Sequence, residues 1–272
     1  AEFLKQLIDD KEIKNLSSVF GMFQSIEFLQ NDYVLISGGP EEKRRFLDIS
    51  CSLLVPGYYS SLLRYNRALR QRNLQIRMDV QQNTAKRHLW DEILIQSGIN
   101  IIASRQKVVR LLQEASTQRI SGMKKAPLNI RLDYINQITQ HDASVQPEEY
   151  RRRLRDSERR ENVFKTTVIG PHRDNLGFFH DDNKDMRLFA SQGQIRMAVL
   201  SVKFALVDLL RSERNFYPVL LFDDAFIEID RENTQLLLDS IGKYNQCLFS
   251  STGIPDIPFF ENRESESFYT FR

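Results

Sequence analysis

Three short runs in this 272-residue chain carry groups that could handle a nucleotide. The first is Phe222, Asp223, Asp224, closing an apolar run over residues 217–222. Two adjacent acids at the end of a buried strand are costly unless a cation or a reaction uses them. Magnesium chemistry would use both: the first acid of such a pair joins the Mg2+ shell, and the second positions or deprotonates an attacking water. The plainer alternative is that Asp223 and Asp224 cap the turn that follows. The second run is Phe189, Ala190, Ser191, Gln192, Gly193, Gln194, Ile195, Arg196, which leads straight into an apolar helix. A serine and a glycine at a helix start expose backbone amides and a hydroxyl, and the helix dipole adds to them, so a phosphate could sit there. An ordinary N-cap by Ser191 is the alternative. The third run, from Gly170 through Pro171, His172, Arg173, Asp174, Asn175 and Leu176 to Gly177, is a polar loop with a tight turn. Its His-Arg-Asp triplet could equally be a local salt bridge. His172 and His180 with Asp181 and Asp182 fix no tetrahedral ligand set, so a zinc-type site has no support.

These runs need elements to hold them. Residues 33–36 read as a short β-type run broken by Gly38 and Gly39. Pro40, Glu41 and Glu42 suit the first turn of a helix, predicted to run to about Leu54 before Pro56. Beyond Gly57, apolar residues recur at helical spacing: Leu62, Leu63, Tyr65 and Leu69, then Leu89, Trp90, Ile93, Leu94, Ile101, Ile102, Val108, Val109 and Leu112. The pattern predicts two long antiparallel helices, the first bearing Arg64, Arg67, Arg70, Arg72 and Arg77. After Gly122, short runs at 128–132, 168–169 and 186–188 read as strands. Residues 147–162 mix six arginines with glutamates and predict a solvated helix laced with ion pairs. A helix buried on more than one face follows over 192–210, then a buried strand at 217–222, a helix at 232–244 and another buried strand at 247–249. That alternation is α/β grammar.

Composition narrows the class. The chain is 41% hydrophobic and 27% charged, and nothing in it approaches the roughly 18 uninterrupted apolar residues of a membrane helix. Cys51 and Cys247 lie far apart and no basic-then-apolar leader opens the chain, so the expectation is a cytoplasmic protein without a disulfide framework. A net charge of +2 leaves any nucleic-acid affinity to local clusters of arginine and lysine. The chain starts at Ala1, as a fragment would.

Order and spacing of the runs resemble the RecF family, bacterial relatives of the SMC-type and ABC-type ATPases. Ser37 to Pro40 followed by Lys43, Arg44, Arg45, Phe46, Leu47 and Asp48 resembles its G-x-P-x-x-R-R-x-F-L-D segment. Tyr65, Arg67, Ala68, Leu69, Arg70, Gln71, Arg72 and Asn73 resemble its Y-x-R-x-L-x-Q-R-N helix, and Trp90, Asp91, Leu94, Gly98 and Ile101 continue the pattern. Residues 170–174 are similar to its G-P-H-R-D-D loop, 191–196 to its S-Q-G-Q-x-R signature, and 221–230 to its Walker B and D-loop.

The resemblance implies an α/β ATPase head of ABC/SMC type, P-loop NTPase-like, with an inserted helical lid. Residues 1–40 would be the remainder of an N-terminal ATPase lobe, 41–122 the lid, and 123–272 a C-terminal lobe. It implies a homodimer closed on ATP, in which Ser191, Gln192, Gly193, Gln194 and Arg196 contact the nucleotide held by the partner copy. Asp223 would take the Mg2+ role, Asp224 the catalytic-acid role, and Ile227 and Asp230 would lie at the dimer seam. From the residues themselves, Arg64, Arg67, Arg70 and Arg72 on one side of the lid helix could neutralise phosphates of double-stranded DNA or of single/double-strand junctions without reading sequence; a solvated basic face paired with acids elsewhere is the alternative. RecO and RecR would be partners in loading RecA. No G-x-x-x-x-G-K-[ST] loop occurs in these 272 residues, so this chain alone is expected to bind ATP poorly. Ile227 stands where the family has serine. A different class of function is therefore also open: a degenerate relative that binds DNA or a partner without hydrolysis.

Overall fold

The computed structural model describes residues 7–8, 11–12, 24–82, 90–121, 129–139, 144–181, 183–225, 235 and 246–250. In chain order these form β1 (Leu7–Ile8), β2 (Lys11–Glu12), β3 (Ser25–Leu29), α1 (Val34–Ser37), α2 (Pro40–Leu54), α3 (Tyr58–Gln82) and α4 (Asp91–Ser121). Then come β4 (Ile130–Ile135), α5 (Pro147–Asp156), α6 (Glu158–Phe164), β5 (Asn175–His180), β6 (Lys184–Asp185), α7 (Met186–Phe189), α8 (Gln192–Arg214), β7 (Val219–Asp223) and β8 (Cys247–Ser250). The chain divides into two compact units, one of Ala1–Gln30 with Phe216–Arg272 and one of Asn31–Asn215. The expected lid, 41–122, lies inside the larger unit with α8, so the compact units cut the chain differently from the expected division.

In the smaller unit β3, β7 and β8 form a parallel sheet with β7 in the middle. Parallel neighbours need long crossovers, and these three strands come from opposite ends of the sequence. One register line carries Phe28, Phe222 and Phe249 side by side. Their rings stack at 4.6 and 4.7 Å between centroids, which fixes the register of the strand that ends in Asp223. A short antiparallel ribbon of β1 and β2 precedes them.

The larger unit is built around α4. Ile101, Ile102, Val108 and Leu112 are sealed from solvent, and the helix packs along α3 on one side and α8 on another. Arg105 of α4 reaches Tyr58 at the start of α3, while Asp91 at the start of α4 reaches Arg72 far along α3, so the two helices run antiparallel as predicted. Gly98 is the point of closest approach to α5: a Cβ there would lie 2.7 Å from the Tyr150 ring. The sheet of β4, β5 and β6 is antiparallel. Its outer edge is closed by Gln113 of α4, whose amide donates to the Ile130 carbonyl and accepts from the Leu132 amide. No helix among the described residues is long and apolar enough to cross a membrane.

Helix α2 keeps the predicted bounds, with Pro40 at its first turn. Three short runs do not. Residues 30–33 form a 3-10 turn and Val34–Ser37 a helix, and the strand of this region is β3 just before them. Residues 168–169 are buried without joining a sheet, and 186–189 form the helical turn α7, capped by the Asp185 side chain accepting from the Arg187 amide. Apolar runs this short carry no period that separates strand from helix. Residues 147–164 form two helices meeting at Ser157, and Glu149 of α5 binds both Arg152 and Arg153. Of the helix expected over 232–244 only Gln235 is among the described residues, and it is helical. The strand expected to be buried at 247–249 forms β8 but is not buried: it pairs with β7 alone among the described strands, and Leu248 is 54% exposed.

Candidate functional site

Asp223 is the last residue of the central strand β7, level with Leu29 and Ser250 on either side. Asp224 turns the chain with φ 47, a left-handed conformation that aspartate tolerates better than most residues, and its amide donates to the Ser250 carbonyl at 3.1 Å. The acids were expected to be buried, but Asp223 is exposed and Asp224 half-buried. Asp223 is the last paired residue of the strand and Asp224 the first beyond it, so both acids sit at the carboxyl edge of the sheet and not in its middle. The cost of burial therefore says nothing here, and their position does. The carboxyl ends of parallel strands are where open α/β sheets bind ligands.

Ser191 caps α8 in a reciprocal capping box: its Oγ accepts from the Gln194 amide at 3.3 Å, and the Gln194 carboxamide oxygen accepts from the Ser191 amide at 2.8 Å. The cap reading of Ser191 is thus correct. It occupies two of the groups at the helix start and leaves the amides of Gln192 and Gly193 without a partner among the described residues. One turn further on, the Arg196 guanidinium lies over the Tyr33 ring at 5.6 Å, and Lys203 pairs with Asp32. The start of α8 belongs to the larger unit and the acid pair to the smaller.

The loop over 170–174 turns inward. His172 Nε2 donates to the Thr167 carbonyl at 3.0 Å, which leaves Nδ1 to accept from the Tyr65 hydroxyl at 2.6 Å. Burial pushes this imidazole down to about 4, in keeping with a neutral ring that has both nitrogens engaged. Asp174 is buried, accepts from the Tyr134 hydroxyl and has its carbonyl bound by Arg44 at 3.0 Å. Burial raises its carboxyl to about 6. Arg105, sealed inside α4, donates to Asp48, to the Tyr58 hydroxyl and to the Pro171 carbonyl. Asn73 takes both the amide and the hydroxyl of Thr167. Three runs far apart in sequence, at 44–48, 65–73 and 170–174, thus share one internal polar network. Gly170 has φ 132, and a Cβ on it would collide with the hydroxyls of Tyr65 and Tyr150. No group of three or more His, Cys, Asp or Glu among the described residues could hold a metal ion.

Arg72 departs from the expected basic face. Its side chain is 1% exposed and makes a two-pronged pair with Glu161, itself 0% exposed, with further bonds to Asp91 and Thr167. A guanidinium so enclosed offers nothing to a phosphate. Arg64, Arg67 and Arg70 are exposed and have no ion pair or hydrogen bond among the described residues. The sequence holds a signal for this split. Arg72 falls on the buried stripe of α3 with Tyr65, Ala68 and Ile76, and Arg105 falls on that of α4 between Ile101 and Leu112. A lone arginine on an apolar stripe needs an internal acid. Ile227 and Asp230 lie outside the described residues.

No family model matches the chain. Among curated proteins it is similar to "DNA replication and repair protein RecF" of Clostridium novyi (strain NT), 32% identical over 250 residues, 92% of this chain and 68% of that one. It is likewise 32% identical over 265 residues to the protein so described from Lachnoclostridium phytofermentans, covering 96% of this chain and 71% of that one. Among solved structures it resembles "the recombination mediator protein RecF-ATP in RecFOR pathway", with a TM-score of 0.81 and 25% identity over 92% of this chain and 67% of that one.

Proposed function

This chain belongs to the RecF family of DNA replication and repair proteins, and from that premise we propose that it serves in the cytoplasm as part of an ATP-closed dimeric DNA clamp. Two copies close on ATP and Mg2+, hold DNA at single-strand gaps and, with RecO and RecR, promote loading of RecA. The observation that carries the reading is the start of α8. A capping box holds it in place and leaves the Gln192 and Gly193 amides without a partner among the described residues. Those amides, the Ser191 hydroxyl and the dipole of a 23-residue helix suit the terminal phosphate of a nucleotide held by the other copy. Gln194 positions Ser191, and Arg196 adds positive charge one turn away.

Asp223 fits a share in a Mg2+ shell, since that ion takes one or two carboxylates and fills its other positions with water and substrate phosphates. Bound there, the ion would neutralise charge developing on the phosphates. Asp224 orients the attacking water or receives its proton. Ile227 and Asp230 lie at the seam between copies. Arg64, Arg67 and Arg70 bind the DNA backbone, supported by the absence of acidic partners for them among the described residues.

The test is ATP hydrolysis and ATP-dependent dimerisation of the natural protein on gapped DNA, wild type against Asp223→Asn. Loss of hydrolysis in the variant, with folding intact by circular dichroism, is the expected result. A variant that dimerises and hydrolyses like wild type, or a wild type that does neither, overturns the reading and leaves a DNA- or partner-binding module without hydrolysis.

A further inference from the structure

Helix α3 has two unlike faces. Tyr65, Ala68, Arg72 and Ile76 point into the larger unit. On the opposite side Leu63, Arg67, Arg70, Leu74 and Arg77 recur at alternating steps of four and three residues, the spacing of a coiled-coil seam. Leu63 is 52% exposed, Leu74 50%, and Met78 beside them 53%. The helix holds five arginines and a single acid, Asp79.

DNA phosphates account for the arginines of this seam but not for its apolar residues, which a phosphate backbone would leave in water. A second copy of the same face would set arginine against arginine. The complement is a helix with leucine-like residues at either end of the contact and acids between them. We propose that the outer face of α3 is a docking seam for such an acidic, amphipathic helix of another protein, and that this partner and DNA exclude one another by sharing Arg67 and Arg70. The docking rests on α3 alone, whereas the exclusion rests on the DNA reading given above.

The probe is a synthetic helix whose contact face runs Leu, Glu, Glu, Leu at steps of four, three and four, titrated by fluorescence anisotropy against the natural protein. Two controls replace its leucines by serine or its glutamates by lysine. Binding that needs both residue types, and that weakens about tenfold or more in Leu63→Ser/Leu74→Ser, supports the seam. Equal binding of the serine control shows a surface for polyanions only and overturns the proposal, as does no binding of any peptide. A labelled 30-base-pair duplex is titrated in parallel. The leucine variant is expected to bind it as wild type does, Arg67→Glu/Arg70→Glu is expected to lose both ligands, and the Leu-Glu peptide is expected to displace it. A duplex that fails to bind while the peptide binds removes the DNA reading and the exclusion but leaves the docking seam. Simultaneous binding of both ligands removes the exclusion alone. Circular dichroism of both variants verifies that these exposed substitutions leave the fold intact.

Discussion

Arg72 and Glu161 meet in a two-pronged ion pair, both of its bonds 2.9 Å long, in a place where neither side chain touches solvent. Removing one partner leaves the other charge buried and uncompensated. Arg72→Leu is expected to cost about 3 to 5 kcal/mol in urea unfolding. Arg72→Leu/Glu161→Leu is expected to recover much of that, because the fully buried charge is gone and Asp91, the other acid on Arg72, is 15% exposed to water. A single variant within about 1 kcal/mol of wild type would show that the pair is dispensable.

Acid should act on the internal network through His172 and Asp174 with opposite signs. The folded state holds His172 at about 4 against an ordinary 6.5. Its contribution is present above pH 6.5 and is lost as pH falls toward 4, at most about 3 kcal/mol. Asp174 is held at about 6 against 3.8, so its contribution is full below 3.8 and lost as pH rises through 6. Urea midpoints taken between pH 4 and 7 should therefore fall less steeply on acidification in His172→Phe than in wild type, and more steeply in Asp174→Asn. Parallel curves for all three proteins would rule this out.

Gly170→Ala combines a positive φ with a methyl group driven against two tyrosine hydroxyls. Strain and overpacking each run to about 1 to 3 kcal/mol. A drop of about 2 to 4 kcal/mol in thermal or urea unfolding is expected. A variant as stable as wild type would mean that the Tyr65 and Tyr150 hydroxyls do not crowd this glycine.

If Arg67 and Arg70 touch DNA phosphates, reversing both charges should do more than weaken binding. The slope of log affinity against log salt should become shallower by roughly two, one for each lost contact. The same measurement on Arg72→Gln should leave the slope as in wild type, since Arg72 lies inside the protein. An unchanged slope in the double variant would sink the assignment.

The sequence by itself determined the elements whose pattern is long and local. Residues 40–54 carry a proline start and a helical stripe, and 192–210 carry a serine cap and apolar residues all round, so both read as helices and form them. Residues 217–222 read as a strand ending in two acids and covered on both sides; β7 forms there over Val219–Asp223, buried at Leu220 and Phe222 but only half-buried at Val219 and Leu221. Runs of four apolar residues or fewer, at 33–36 and 186–188, were beyond that logic, because burial and capping by neighbours decided their form. The split between Arg72 and the arginines around it was settled only in three dimensions. All are the same residue type on one helix, and Glu161, which takes Arg72 inside, lies 89 positions away. The inward turn of residues 170–174 was settled in the same way: the partners of His172 and Asp174 come from α2, α3 and β4. Local sequence sets which face of an element is apolar, whereas the partner of each polar group depends on which distant segments the packing brings against it.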